Sequence, residues 1–137
     1  MKKQKRITCP YCGAHAILQK ASYVYGDSSM DEYVYVCSNY PKCDSYVGVH
    51  RGTKEPMGTL ANRELRNKRI RTHKVFEKIW QNNLMTKKEA YRWMTYMMGI
   101  PFDMGHIGKF SEYRCDELVK ICEDILRKNN IKLSLGA

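Results

Sequence analysis

The sequence predicts an α+β protein, with short β-strands in its first part and about three helices in the remainder. Runs of β-branched and aromatic residues recur over residues 7–50, and such residues are typical of strands. From Thr59 onward the apolar residues recur every three to four positions instead, which is the period of an α-helix. Between the two patterns, residues 51–58 hold two glycines and a proline and indicate a connector.

The length and composition indicate one small folded protein. The chain has 137 residues, of which 43% are hydrophobic, too many for a disordered chain. No apolar run approaches the ~18 residues of a membrane span, and the basic N-terminus leads into Cys9 rather than into the apolar core of a secretory signal. We therefore expect a cytoplasmic protein that does not contact membranes. Its predicted parts are a β module over residues 1–50, the connector, and a helical region over residues 59–137.

Three segments of the β module are predicted as strands, at residues 17–25, 33–36 and 46–49. A Gly-Asp-Ser-Ser cluster at residues 26–29 indicates a turn between the first two. Tyr and Val alternate along the second segment. Because side chains alternate between the faces of a strand, this segment should present one aromatic and one aliphatic face.

Three helices are predicted in the helical region. The first covers about residues 60–81, and its apolar side consists of Ala61, Leu65, Thr72, Phe76 and Ile79. The second begins after Thr86, which forms a capping-box pattern with Glu89, and it ends near Gly99. Ser111 can cap the third helix. The apolar stripe of that helix consists of Cys115, Leu118, Val119, Cys122, Ile125 and Leu126.

Four cysteines of the β module have the spacing of a metal site. Cys9 and Cys12 form a Cys-x-x-Cys knuckle followed by Gly13, and Cys37 and Cys43 form a second pair. Four thiolates from two loops suit tetrahedral Zn²⁺, and a module this small gains much of its stability from a metal. With all four positions filled by protein, the single zinc ion is predicted to be structural rather than catalytic. A redox dithiol at Cys9 and Cys12, or plain buried cysteines, are the alternatives.

These cysteine motifs carry a resemblance. The segment Cys-Ser-Asn-Tyr-Pro-Lys-Cys at residues 37–43, preceded by Cys-Pro-Tyr-Cys-Gly at residues 9–13, resembles the C-terminal zinc ribbons of bacterial type I DNA topoisomerases. That resemblance implies a zinc ribbon fold and association with single-stranded DNA. It does not imply strand passage, because the chain contains no topoisomerase core.

The whole chain is similar to a family of small bacterial and prophage zinc-finger-containing proteins of unknown function. The similarity lies in five short segments, at residues 9–14, 46–50, 58–61, 90–93 and 106–110. It implies zinc and a mobile-element setting, and it implies no particular activity.

The charge of the chain suits an anionic partner. Lys and Arg number 24 against 14 Asp and Glu, which gives a formal net charge of +10. Basic side chains line the face of the first helix opposite Leu65, Phe76 and Ile79, and such a stripe can neutralise phosphates. The candidate phosphate contacts are Arg63, Arg66, Lys68, Arg71, Lys74 and Lys78. The alternative is a solvated helix face.

Several tyrosines crowd the β module, and unpaired bases stack on exposed aromatic rings. Tyr25, Tyr35 and Tyr40 are the candidate stacking residues. The alternative is that the tyrosines cover a small core.

Other patterns receive less support. His50, Asn62 and His73 follow the order of an HNH nuclease, but Asn62 and His73 fall on one predicted helix. Cys115 and Cys122 near His106 could hold a second metal, although their apolar stripe favours packing. The methionines of the second helix and the loop after it are predicted to belong to an adaptable core, and a groove for a partner is the alternative. These are Met94, Met97, Met98 and Met104.

The sequence therefore predicts a non-enzymatic, zinc-stabilised protein that binds nucleic acid, with single-stranded DNA or RNA as the ligand. Nuclease activity stays open as a minor alternative. The second hypothesis is a prophage-encoded protein-interaction module, whose partner is a protein of the host replication, transcription or defence machinery. In that case the basic surface contacts an acidic protein patch.

Overall fold

The computed structural model describes residues 6–26 and 32–132. It consists of two compact units, Met1–Glu64 and Leu65–Ala137, called here the N-terminal unit and the helical unit. Residues 27–29 of the predicted turn lie outside the described residues.

The N-terminal unit contains a three-stranded antiparallel sheet in the order β1-β2-β3. Val36 of the central strand lies opposite Ile17 on one side and Tyr46 on the other. The predicted α+β class, with strands first and helices after, is confirmed. The strands are β1 (Ala16–Lys20), β2 (Tyr33–Cys37) and β3 (Tyr46–Gly48).

The first strand is shorter than the prediction of residues 17–25. β1 ends at Lys20, and Ser22–Tyr25 form the short helix α1 instead. Pairing stops there because β2 begins at Tyr33, directly opposite Lys20. Gly26 then closes the helical turn: its φ of 73° is left-handed, and its N–H donates to the first carbonyl of α1.

The central strand is buried on both faces. Tyr35 lies on one face and belongs to the same apolar cluster as Leu60. Val34 and Val36 lie on the other face, in a cluster with Ala21. The predicted separation into an aromatic and an aliphatic face is therefore present, but the aromatic face of β2 lies in the core.

The predicted connector belongs to the N-terminal unit. Pro56 forms an isolated antiparallel bridge with Val49, and the Met57 N–H donates to the Gly48 carbonyl over 2.9 Å. These contacts attach residues 51–58 to the end of β3, so the boundary between the units comes after Glu64.

The three predicted helices are present. The first starts three residues later than predicted because Ala61 pairs with Tyr46 through two backbone hydrogen bonds. Its first N–H, from Arg63, donates to Asp44 Oδ2 over 3.2 Å. None of the helices in the described part of the chain is both long and apolar enough to cross a bilayer. The helices are α2 (Arg63–Gln81), α3 (Lys87–Met98) and α4 (Glu112–Lys128).

The predicted caps are confirmed. Thr86 Oγ1 accepts a hydrogen bond from the Glu89 N–H over 3.1 Å, and Glu89 Oε1 accepts from the Thr86 N–H over 3.0 Å. The second of these bonds lowers the pKa of the Glu89 carboxyl, because it favours the ionised form. At α4, Ser111 Oγ accepts from the Arg114 N–H over 3.3 Å. Each cap needs only residues within one turn, which is why the sequence reveals it.

The helical unit buries side chains from all three helices. The Phe76 ring meets Trp80 and Tyr91 edge-on, each at 5.0 Å between centroids. The α4 stripe is only partly as predicted, because Val119 and Ile125 are half-buried. Its fully buried members are Cys115, Leu118, Cys122 and Leu126.

The methionines do not share one environment. Met94 is fully buried, as predicted. Met97 and Met104 are about half exposed, so the core prediction is wrong for these two residues. Met98 is half-buried.

Candidate metal centre

The first pair of cysteines lies in a tight backbone knuckle before β1. The Cys9 N–H donates to the Ala14 carbonyl over 2.8 Å, and the Gly13 N–H donates back to the Cys9 carbonyl over 3.0 Å. Gly13 has a φ of 78°, a conformation in which a residue with a side chain is strained. The knuckle therefore directs the thiols of Cys9 and Cys12 toward the same point.

The second pair is positioned by the end of β2. Cys37 is the last residue of the strand, and its carbonyl accepts from the Tyr40 N–H over 2.9 Å. The Cys43 N–H donates to the Asn39 carbonyl over 3.0 Å. These two turns return the chain so that Cys43 comes beside the first knuckle.

The four thiols form one cluster, with every sulfur within 4.8 Å of the others. Cys9 Sγ lies 3.6 Å from Cys43 Sγ, and Cys12 Sγ lies 3.4 Å from Cys37 Sγ. In a tetrahedron with Zn–S bonds of ~2.3 Å, neighbouring sulfurs are ~3.8 Å apart. The cluster therefore fits a tetrahedral ion with small adjustments, and the predicted ligands are brought together.

Polar hydrogens surround the cluster and stabilise thiolates. The Asn39 N–H donates to Cys37 Sγ, and Asn39 Nδ2 donates to Cys12 Sγ, both over 3.5 Å. Hydrogen bonds from the Ala14 N–H and from Asn39 lower the pKa of Cys12 to about 6. Burial raises the pKa of Cys37 to about 12. A bound dication favours the thiolate form of all four residues over these local effects.

Burial differs among the four donors. Cys9 and Cys37 are buried, Cys43 is half-buried and Cys12 is exposed. The cluster thus lies at the edge of the sheet, with one side against the core around Tyr35 and Leu60. All four donors are protein thiolates, so a tetrahedral ion retains no position for a reactive water.

The basic residues of α2 are in different situations. Arg63, Arg71 and Lys74 are exposed. Lys68 is engaged with acidic groups: its Nζ lies 3.1 Å from Asp116 and 3.9 Å from Glu112 of α4. The remaining two, Arg66 and Lys78, are half-buried, and Lys78 Nζ donates to the Lys132 carbonyl over 3.2 Å.

The ion pairs of Lys68 have a direct electrostatic effect. The hydrogen bond to Asp116 raises the pKa of the Lys68 ammonium. Because two carboxylates already lie beside this ammonium, it contributes little to the field that an incoming phosphate meets. The sequence places Lys68 in the basic stripe, but its partners on α4 become visible only in the folded unit.

The structure contradicts the assignment of Tyr35 as a stacking residue. Its side chain is only 2% exposed, and its hydroxyl donates to the Lys54 carbonyl. A base cannot reach either face of a buried ring, so Tyr35 is a core residue.

The other two candidate tyrosines belong to an aromatic cluster. Tyr25 meets Tyr46 at 5.8 Å between ring centroids, Tyr40 meets Tyr46 at 6.3 Å, and Tyr23 meets Tyr40 at 5.8 Å. Tyr23 and Tyr25 are about half exposed. We call this set, Tyr23, Tyr25, Tyr40 and Tyr46, the tyrosine cluster. The predicted stacking residues do not include Tyr23 and Tyr46. Tyr23 lies on α1, a segment that the sequence predicts as a strand, and Tyr46 begins β3.

The remaining candidate motifs do not assemble into sites. His73 Nδ1 lies 2.8 Å from Glu77 on the same helix, and the Asn62 N–H donates to the Tyr11 hydroxyl. Within residues 6–26 and 32–132, the four-cysteine cluster is the one group of three or more His, Cys, Asp or Glu side chains arranged to hold a metal. Cys115 and Cys122 are fully buried, so both are packed thiols. Burial raises the pKa of Cys115, and that of Cys122 to about 12.

A family model described as a zinc-finger-containing domain matches residues 5–125. The matched range includes all four clustered cysteines and extends into α4, so the similarity involves both units. Neither the curated proteins nor the solved structures contain a match to the chain.

Proposed function

The chain belongs to the family of zinc-finger-containing domains, and we propose that it is a zinc-stabilised, non-enzymatic protein that binds single-stranded DNA or RNA. The similarity of the whole chain to a zinc-finger-containing family, inferred from the sequence, is thereby confirmed. The observation that carries the proposed function is the exposed basic face of α2, formed by Arg63, Arg71 and Lys74.

Zinc has a structural role in this proposal. One ion bound by Cys9, Cys12, Cys37 and Cys43 connects the knuckle before β1 to the end of β2. Because the sheet has only three short strands, the metal supplies cohesion that its small core lacks. Four thiolates and one Zn²⁺ together carry a formal charge of −2, which lowers the formal charge of the chain from +10 to +8 when the metal is bound. The metal-bound protein remains strongly basic.

The basic face of α2 suits a phosphate backbone. From Arg63 to Lys74 is eleven residues, or ~16 Å along a helix that rises ~1.5 Å per residue. Successive phosphates of a nucleic acid strand fall within that length. The three side chains are exposed, and no ion pair involves Arg71 or Lys74 within the described parts of the chain. Their charges are therefore available to an anionic ligand.

The tyrosine cluster supports a single-stranded ligand. The half-exposed rings of Tyr23 and Tyr25 present aromatic surface on which an unpaired base can stack. A duplex keeps its bases stacked on each other, so it cannot use such rings without being opened.

The basic face predicts a specific salt dependence. For single strands, log K falls with log salt by ~0.7 per neutralised phosphate. Replacing both Arg71 and Lys74 with Gln should therefore reduce the magnitude of that slope by ~1.4. It should also weaken the binding of all oligonucleotide sequences to the same extent. The measurement is fluorescence anisotropy with a labelled oligonucleotide between ~50 and ~200 mM salt. The matched control replaces Lys120 and Lys128, two exposed lysines of α4, and should change the slope far less.

Equal slopes for the two double variants would show that the protein attracts polyanions through its net charge alone. The proposed α2 contact would then be wrong. Equal affinity for heparin and for the oligonucleotide would lead to the same conclusion, because a basic protein binds any polyanion weakly.

The tyrosine cluster predicts a different effect. Replacing Tyr23 and Tyr25 with Ala should weaken binding of a single strand by ~1–3 kcal/mol per base that stacks. The salt slope should stay the same, because stacking releases few counterions. Tyr113→Ala is the control, since Tyr113 is an exposed tyrosine of α4 outside the cluster. Isothermal titration with single-stranded and duplex DNA of equal length measures the effect, and an equal loss for both forms would contradict base stacking.

A further inference from the structure

Helix α3 carries large apolar side chains on two sides. One side faces the core of the helical unit, where Ala90, Met94 and Thr95 are buried. Tyr96, which is 84% exposed, lies on the opposite side, and Met97, which is 49% exposed, lies at the edge of the buried side, three residues after Met94. A surface helix normally places polar residues on its outer side, so the core does not account for Tyr96, and it covers only about half of Met97.

Two more large apolar side chains are exposed in the segment that directly follows α3. The turn Phe102–Met104 follows, with Phe102 60% and Met104 47% exposed. Gly105 allows this turn to lie close to α3, because a Cβ at that position would clash with Thr95 Cγ2. We call the set of Tyr96, Met97, Phe102 and Met104 the α3 patch.

The patch has the size of an interface centre. Aromatic side chains each offer ~150–250 Å², so at these exposures the four residues together expose on the order of 500 Å². That is comparable to the largest apolar patch of a typical monomer, which is often functional. A standard interface covers ~800 Å² on each partner, so the patch would form its apolar centre with a polar rim around it.

The charges around the patch favour an acidic partner. Arg92 lies one turn before Tyr96 on α3, Lys88 one turn earlier, and Lys109 follows the turn; all three are exposed. The acidic residues of the same region are Glu89, whose carboxylate accepts from the Thr86 N–H, and Asp103. The rim is therefore net positive, and opposite charge on the partner is favoured.

The same observations disfavour two other occupants. A second copy of this chain would place like charges at the rim and bring together two molecules of formal charge +10 each. Nucleic acid would use the two aromatic rings but not Met97 or Met104, because a thioether has no flat face for stacking. Methionine instead adapts its shape to varied protein side chains.

We propose that the α3 patch binds a partner protein whose contact surface is apolar at its centre and acidic at its rim. This interaction is separate from nucleic-acid binding and does not depend on it. Phe102 and Tyr96 are the central anchors, because aromatic residues contribute most to such interfaces. The flexible side chains of Met97 and Met104 complete the contact around them.

The test selects peptides from a displayed random-sequence library against the full chain loaded with zinc. Enriched peptides should combine large apolar residues with Asp or Glu. A synthetic peptide of the enriched sequence should bind at least about tenfold more weakly to Phe102→Ser and to Met97→Ser. Tyr113→Ser, which alters a tyrosine 76% exposed on α4, should bind it like the unmodified chain. Because the altered side chains are exposed, circular dichroism should show each variant folded.

Three results would overturn the proposal. The first is that no enriched peptide depends on Phe102 or Met97, or that the enriched peptides are basic. The second is self-association of the chain, measured by sedimentation, that is lost in Phe102→Ser. The third is a loss of oligonucleotide affinity in that variant as large as the loss of peptide affinity, which would assign the patch to nucleic acid.

Discussion

Replacing Cys37 with serine should release the zinc and unfold the sheet of the N-terminal unit. Cys37 is both a cluster thiol and the last residue of the central strand β2, so its loss removes a metal ligand and a buried sulfur together. Metal binding contributes ~10–16 kcal/mol of apparent free energy in zinc-finger peptides. A unit as small as Met1–Glu64 has only a marginal core of its own, so we expect its sheet to unfold without that contribution.

The measurement combines elemental analysis with backbone amide NMR. Unmodified protein should contain one zinc per chain, and Cys37→Ser should contain none and lose the dispersed resonances of β1 to β3. Cys122→Ser is the matched control, because Cys122 is also fully buried but lies outside the cluster. It should lose stability and retain zinc. A folded Cys37→Ser variant with its sheet intact would show that the metal is not needed for folding.

Replacing Leu118 with alanine should cost ~2–5 kcal/mol of the free energy of unfolding. Leu118 is fully buried in α4, so the shorter side chain leaves a cavity that its neighbours fill only in part. Ile125→Ala on the same helix should cost less, because Ile125 is half-buried and solvent already reaches part of its surface. The sequence alone assigns these two residues to one apolar stripe and does not distinguish them.

Urea denaturation, monitored by the helical circular dichroism signal, measures the free energy of unfolding of both variants. The two midpoints should separate clearly, with Leu118→Ala lower. Equal losses for the two variants would mean that the α4 stripe is buried along its whole width, in disagreement with the half-exposure of Ile125.

The features that the sequence predicts correctly are local. The capping box of Thr86 and Glu89 lies within four residues, and the knuckle at Cys9 and Cys12 within five. The second cysteine pair is predictable as metal ligands because cysteines at such spacing in a small module most often bind a metal. The order of strands and helices follows from the change in periodicity, which needs no tertiary information.

The features that the sequence missed depend on distant partners. Tyr35 alternates with valines as an exposed strand residue would, and only packing against Leu60 shows that its side of the sheet is covered. By sequence, Lys68 belongs to the basic stripe, but in the folded chain its Nζ lies 3.1 Å from Asp116 of α4. The residues of α1 have strand-like composition, yet β2 begins too late to pair with them. For Tyr35 and Lys68 the competing contact comes from a segment far away in the chain, and for α1 the missing partner strand decides.

The two units have different optical signatures. Both tryptophans, Trp80 and Trp93, lie in the helical unit, and Trp80 is stacked on Tyr91 at 6.2 Å between centroids. The N-terminal unit holds the four tyrosines of the tyrosine cluster and no tryptophan. Intrinsic emission excited at the red edge of the indole band therefore originates from the helical unit alone, while thiolate-to-metal charge-transfer absorption with a spectroscopic substitute such as Co²⁺ originates from the cysteine cluster. One sample thus contains a separate chromophore for each half of the chain.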